Sequence, residues 1–449
     1  MKNLVKIFSF LLLIPCVWGL KIEITQGQIN PIPIAITDFT GLSEGAEIAK
    51  IVSDDLRNSG LFIPLDKSTF IQAPSTFESG IRFADWRLIR AQCLVTGTAQ
   101  KVDGKIQVSF RVYDVFSSKE VLALSIAAEP AKIRKIAHMI ADAIYERITG
   151  ETGYFDTKIV FIEEQGPVTK SKKRLVVADH DGFGAVHLTD GKNLVLTPRF
   201  SHDATKIIYL EFIEKRATAF VFDLISRTKT KLTDQPGLNI APRFSDSGDV
   251  VYSIARNGTT QIYSMASGTK TPVKLTDHPS INTSPCYSPD GQQIVFTSDR
   301  SGAEQMYVMN KSGTDVRRIS FGEGRYSQPV WSPRGDLIAF TVVRQRTFYI
   351  GVMSPDGTNE RLITTGFLVE GPTWAPNGRV IMFSKKARDW STKNFSIDLT
   401  GRNLQPFKSA HGASDPSWSA LLSKIKLPPA PKEQAPAPTA APAAPVPAR

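Results

Sequence analysis

The sequence is poor in the residues that metal centres and disulfide frameworks need. Its 449 residues include three cysteines and six histidines, and no two histidines stand in an H-x-H or HExxH spacing. Cys16 lies in an N-terminal segment expected to be removed, and Cys93 and Cys286 fall in different halves of the chain. A chain of this length builds a large apolar core without cross-links, so Cys93 and Cys286 are expected as buried free thiols. Long apolar runs are also missing: nothing approaches the ~20 residues of a membrane-spanning helix. No glycine-rich phosphate loop is present. Asp179-His180-Asp181-Gly182-Phe183-Gly184, followed by Asp190, loosely resembles a calcium loop. Phe183 occupies a ligand position there and Asp190 replaces the usual Glu, so a hairpin is the expected reading. Neither a cofactor nor a metal is expected.

What is present is positive charge, unevenly placed. The net charge is +11, with Lys2 and Lys6 inside the N-terminal segment. Residues 20–150 carry 15 basic and 15 acidic side chains, whereas residues 151–426 carry 35 and 27, a net +8. The richest runs are Lys170-Ser171-Lys172-Lys173-Arg174 and Lys385-Lys386-Ala387-Arg388, both where strands are expected to turn. An acidic protein partner or an anionic envelope surface suits that charge better than nucleic acid, which is not expected as a partner.

Residues 1–19 read as a secretory signal, with Lys2 and Lys6 before the apolar run 7–14 and Val17-Trp18-Gly19 as a small-x-small cleavage site. Pro15 stands before Cys16, where lipidation requires a small residue, which argues against a lipoprotein. Leu20 is the expected first mature residue.

The most informative feature is internal repetition. Pro198-Arg199-Phe200-Ser201, Pro242-Arg243-Phe244-Ser245, Pro285-Cys286-Tyr287-Ser288, Pro329-Val330-Trp331-Ser332, Pro372-Thr373-Trp374-Ala375 and Pro416-Ser417-Trp418-Ser419 start 43 or 44 residues apart. Turns such as Pro289-Asp290-Gly291 and short apolar runs follow the first five. Four short strands per period of this length predict β-propeller blades. Three strands, around residues 159–161, 175–177 and 194–196, are expected before the first copy, and almost nothing follows the last. The strand at Trp418 is therefore expected to complete the first blade, giving six blades in a closed ring without open sheet edges. The six repeat aromatics are expected to pack between blades.

Residues 20–150 lack the repeat. Strands are expected at 33–39 and 61–65, a helix at 46–56, a hairpin at 93–99 and 105–115 around Asp103-Gly104, and an amphipathic helix at 131–148. The expected fold is thus an α/β N-terminal domain (20–150) followed by an all-β six-bladed β-propeller (151–426). Residues 427–449, with eight Pro and eight Ala, are expected as an extended, disordered tail.

Gly41-Leu42-Ser43-Glu44-Gly45 fits the G-x-S-x-G nucleophile elbow between a strand and a helix. His138 is the only histidine in this domain and sits mid-helix, so a glycine-rich turn is the preferred reading. An exported propeller-containing hydrolase, or another envelope enzyme with its site in the channel, stays open as the alternative.

The leader, the small α/β domain and six blades of Pro-x-aromatic-Ser-Pro-Asp-Gly type together resemble the TolB family of the Tol-Pal system. The resemblance covers 20 to about 426; the Pro-rich tail falls outside it. It implies a non-catalytic, monomeric adaptor in the periplasm, between a TolA-like inner-membrane protein and the lipoprotein Pal. Outer-membrane invagination at division and outer-membrane integrity would depend on it, with peripheral outer-membrane association through Pal. By the resemblance, the mature N-terminus, Leu20, Lys21, Ile22, Glu23 and Ile24, binds TolA. Its alternation suits a strand added to a sheet edge, or equally a first strand of the α/β core. Pal, in the family, docks on one propeller face over the channel. The loops entering the innermost strands converge there, at Leu238-Asn239, Asn282-Thr283-Ser284, Ser327-Gln328, Glu370-Gly371 and Ser414-Asp415, and of these Leu238, Asn239, Asn282, Thr283, Ser327, Glu370 and Asp415 are singled out.

Overall fold

In the computed structural model, residues 30–424 are described, except 168–169, 215 and 234–236. The leader, the Leu20 to Ile24 segment and the tail lie outside the described residues.

The first domain is a six-stranded sheet with two long helices on one face. Its elements are β1 (Ile32–Ile36), β2 (Thr40–Gly41), α1 (Glu44–Asn58), β3 (Phe62–Pro64), α2 (Phe83–Leu88), β4 (Cys93–Val102), β5 (Lys105–Asp114), β6 (Lys119–Ala128) and α3 (Ile133–Thr149). The order is β3-β1-β4-β5-β6, with β2 also on β4; β1 runs parallel to β3 and β4, and β4-β5-β6 is antiparallel. Asp103 (φ 49°) and Gly104 (φ 76°) make the tight β4–β5 turn, as their sequence predicts. Helix α1 starts with Glu44 and Glu47 and ends with Arg57, charges that favour its dipole. Helix α3 buries Ile136, Ile140, Ile144 and Ile148 and ends at left-handed Gly150. Strand β6 was not anticipated: its leucines and alanines favour helix in isolation, and pairing along β5 overrides that preference.

The repeats form six four-stranded antiparallel sheets. Gly412–Trp418 pairs with Lys158–Gln165, so the last repeat strand is the innermost strand of blade 1, as expected. Lys172–Asp179 and Val186–His187 complete that blade. Blades 2 to 6 occupy 195–231, 238–274, 282–318, 325–366 and 368–406. One expectation is corrected. Residues 194–196 do not form the third strand before the first repeat; Val195 to Phe200 is a single strand, the innermost of blade 2. The proline that appeared to separate two strands sits at a bulge within one.

The two domains share one core. Ile136, Ile140 and Tyr145 of α3 belong to the same buried cluster as Ile159, Phe161, Val176, Phe407 and Trp418 of the propeller. The α/β domain thereby covers the face on which the innermost strands end. The opposite face, where those strands begin, is the open one.

Candidate docking surface at the channel mouth

Each innermost strand carries a bulge at the same place. Pairing shifts between Leu196 and Arg199, Ile240 and Arg243, Thr283 and Cys286, Ser327 and Val330, Glu370 and Thr373, and Ser414 and Ser417. The residue before the proline is left-handed in all six: Thr197, Ala241, Ser284, Gln328, Gly371 and Asp415, with φ from 47° to 66°. Five of these are not glycine, and each such conformation costs roughly 1–2 kcal/mol. The bulge turns residues on both sides of it toward the channel: Thr197 and Arg199, Ala241 and Arg243 line one cavity near the open mouth.

The variable repeat residue faces the channel. Arg199, Arg243, Cys286, Val330, Thr373 and Ser417 all line a cavity of about 620 Å3 on the covered side. Two of them close the ring. The Phe200 N–H donates to Ser417 Oγ at 3.2 Å, from blade 2 to blade 1. The Trp418 N–H donates to Thr373 Oγ1 at 3.2 Å, from blade 1 to blade 6. Nearer the open mouth, Gly371 N–H donates to Gln328 Oε1 at 2.8 Å and Asp415 N–H to Ser384 Oγ at 2.9 Å. The repeat aromatics also pack between blades, as expected: the Trp374 indole donates to Val330 O at 3.0 Å.

The residues expected at the mouth do not all face it. Leu238, at the start of its strand, is 41 % exposed. Asn239 lies next to it in the same strand. Thr283, Ser327, Glu370 and Asp415 are half-buried around the ring. Burial raises the Glu370 carboxyl, and the like charge of Asp415 adds to it against Lys386 and Lys173. Asn282 is corrected. It is fully buried, its amide donates to Thr260 O at 3.1 Å, and its oxygen accepts from Arg300 at 2.8 Å. It shapes the loop and is not available to a partner. Sequence reasoning reached Ser284 and Gln328 as loop residues and missed the equivalent bulge residues Thr197 and Ala241. The signal was the alternation of constant prolines with variable neighbours at a fixed offset.

The basic runs flank the same face. Lys172 to Arg174 begin one blade 1 strand, and Lys385 and Lys386 end one in blade 6, beside the turns that rim the open mouth. On the covered face Glu151 accepts from Arg334 at 2.8 Å and also pairs with Arg379. Asn403 Nδ2 donates to Asn58 O at 2.8 Å. On that side blades 1, 5 and 6 are engaged within the chain.

The elbow motif has a structural explanation. A Cβ on Gly41 would lie 2.2 Å from Ala99 O and one on Gly45 1.9 Å from Phe39 O, so both glycines are set by close backbone approach. Ser43 Oγ donates to the Glu44 carboxylate at 2.9 Å, and His138 is held by Asp55. Asp179 and Asp181, of the calcium-like stretch, are paired with Arg134, and Asp179 also with Lys158. Cys93 and Cys286 are buried free thiols, and burial, with Asp114 nearby, pushes Cys93 up to about 12.

These features define a two-domain β-propeller protein whose ring carries its own α/β domain on one face and is open on the other. Residues 20–121 match the TolB amino-terminal domain and residues 145–422 the TolB beta propeller domain. The chain belongs to the TolB family. It is 49 % identical to the Tol-Pal system protein TolB of Paramagnetospirillum magneticum over 91 % of this chain and 94 % of that protein. It is 46 % identical to the Pelagibacter ubique protein of the same name, over 90 % and 95 %. The crystal structure of TolB from Acinetobacter baumannii superposes with a TM-score of 0.80 at 27 % identity, over 87 % of this chain and 97 % of that one. Family membership gives the chain a role in the Tol-Pal system as an envelope-associated, non-catalytic component with partners inside that system. The hydrolase alternative built on Ser43 is thereby set aside.

Proposed function

We propose that the chain is a monomeric periplasmic adaptor joining a TolA-like inner-membrane protein to the Pal lipoprotein. In this reading the N-terminal stretch Leu20, Lys21, Ile22, Glu23 and Ile24 binds the TolA-like protein. The open channel mouth, with Leu238, Asn239, Thr283, Ser327, Glu370 and Asp415, receives Pal, so that the ring associates peripherally with the outer membrane. Linking the two membranes in this way would serve invagination at division and outer-membrane integrity.

The observation that carries this reading is the asymmetry of the ring. Its covered face is engaged by Glu151, Asn58 and the α3 core. Its open face keeps a concave mouth of blade-specific polar residues on strained backbone, which suits recognition better than packing.

Affinity capture from envelope extract tests it. Removing about ten residues after Leu20 should abolish capture of the TolA-like protein and leave Pal capture intact. Persistent capture of the TolA-like protein would refute the N-terminal assignment.

A further inference from the structure

Between blades 2 and 3 the open mouth deepens into a cavity of about 340 Å3. Leu196, Leu210, Phe212, Leu238 and Ile240 give it apolar walls. Its floor is Arg199 and Arg243, which also line the larger cavity on the covered side. The two guanidiniums therefore stand at the waist of the channel, reachable from the open face.

Neither arginine has an ion-pair partner among the described residues. Arg199 donates to its neighbour's carbonyl, Pro198 O, at 2.6 Å. Asp415, in the neighbouring blade 1, acts on Arg199 only at longer range and accepts from the Thr197 N–H at 3.4 Å. Burial pulls Arg199 down to about 9, and the like charge of Arg243 adds to that. Arg243 is lowered by burial as well, with no carboxylate acting on it. A guanidinium in a protein keeps its proton, so both side chains are cations.

The repeat shows what these positions give up. In blades 1 and 6 the same position holds Ser417 and Thr373, whose hydroxyls accept the next blade's N–H and close the ring. A guanidinium only donates and cannot make that bond. Blades 2 and 3 instead place two adjacent, half-buried charges at this position, an arrangement unfavourable unless an anion completes it. Paired guanidiniums match a planar carboxylate in fork geometry. The apolar walls favour a carboxylate on a hydrocarbon stem over a fully hydrated inorganic anion.

We propose that this cavity receives an acidic side chain of the docking partner, a Glu or Asp flanked by apolar residues, with its carboxylate held by Arg199 and Arg243. The proposal deepens the docking reading above and rests on it for the partner's approach. Lysines and arginines at the rim steer such a segment toward the mouth.

Calorimetry on the purified full chain tests the pocket with two probes, N-acetyl-Leu-Glu-Leu-amide and its Gln counterpart. The Glu peptide should bind at least ten-fold more tightly, and Arg199→Gln with Arg243→Gln should erase the difference. Arg199→Lys, which keeps the charge without the fork, should lose part of it and serves if the double substitution unfolds the ring. Equal binding of the two peptides, or Glu-peptide binding unchanged in the double variant, overturns the proposal. Inorganic phosphate binding more tightly than the Glu peptide, and lost in the double variant, would mark a free-anion site and also overturn it. The periplasmic domain of Pal, titrated separately, should bind the double variant at least ten-fold more weakly. Failure of Pal to bind the wild-type chain would sink the docking reading alone, because the peptide ratio does not depend on it.

Discussion

His138 Nδ1 lies 2.7 Å from Asp55 Oδ2, joining α3 to α1, and the other oxygen of Asp55 faces His180 of blade 1 at 3.2 Å. One buried carboxylate thus ties two helices of the α/β domain to the propeller. Burial alone would raise Asp55, but the two histidines outweigh it and hold the carboxyl at about 2. Burial would likewise lower His180, and Asp55 outweighs it, so His180 is raised above 6.5.

The signs give a pH window. The contribution of His180 is fully present below its unfolded value of 6.5 and is lost as pH rises through the elevated folded value. That of Asp55 is present above 3.8 and is lost only toward pH 2. The difference in Tm between wild type and His180→Asn should therefore be larger at pH 5.5 than at pH 8.5. An equal difference at both pH values would contradict a charged pair at the interface.

Glu151, in the link between α3 and the first propeller strand, ties that link to blades 5 and 6. Burial would raise its carboxyl, but Arg379 and Arg334 outweigh that and hold it below the usual range. Glu151→Gln leaves two arginines without their anion and should destabilise the chain by about 1–2 kcal/mol at neutral pH. Because the folded value is depressed, the loss should shrink as pH falls through and below the carboxylate range. Calorimetric melts of both proteins at pH 7 and pH 3.5 check this.

Ring closure makes a third prediction. Ser417→Ala removes the acceptor for the half-buried Phe200 N–H and should cost about 0.5–1.5 kcal/mol, the net worth of one hydrogen bond. Arg243→Gln removes an unpaired, half-buried charge and should leave Tm unchanged or higher. Thermal melts that ranked the two the other way would mean that Arg243 helps hold the blades together.

The ring was legible in the sequence because its signal recurs. The repeats mark six strands at a steady spacing, and the missing strands at the end identify the blade closed by Trp418. The α/β domain was legible where periodicity was strong, as in α3 and the β4–β5 hairpin. Strand β6 escaped because local propensity and sheet pairing disagree there. The bulge at Thr197 escaped because a proline inside a strand reads as a boundary. Asp55, His138 and His180 carry no shared spacing, and only the fold brings them together. Asn282 was misjudged because polarity in a loop does not distinguish a residue facing a partner from one satisfying its own backbone.

Docking of Pal on the open mouth is open to a binding measurement. The most direct measurement is the affinity of the purified chain for the periplasmic domain of Pal after Thr283→Arg and Ser327→Arg, with Gln292→Arg, in an exposed turn on the covered side, as the control. Both mouth variants should weaken binding at least ten-fold while the control matches wild type. Undiminished binding by the two mouth variants would contradict the account.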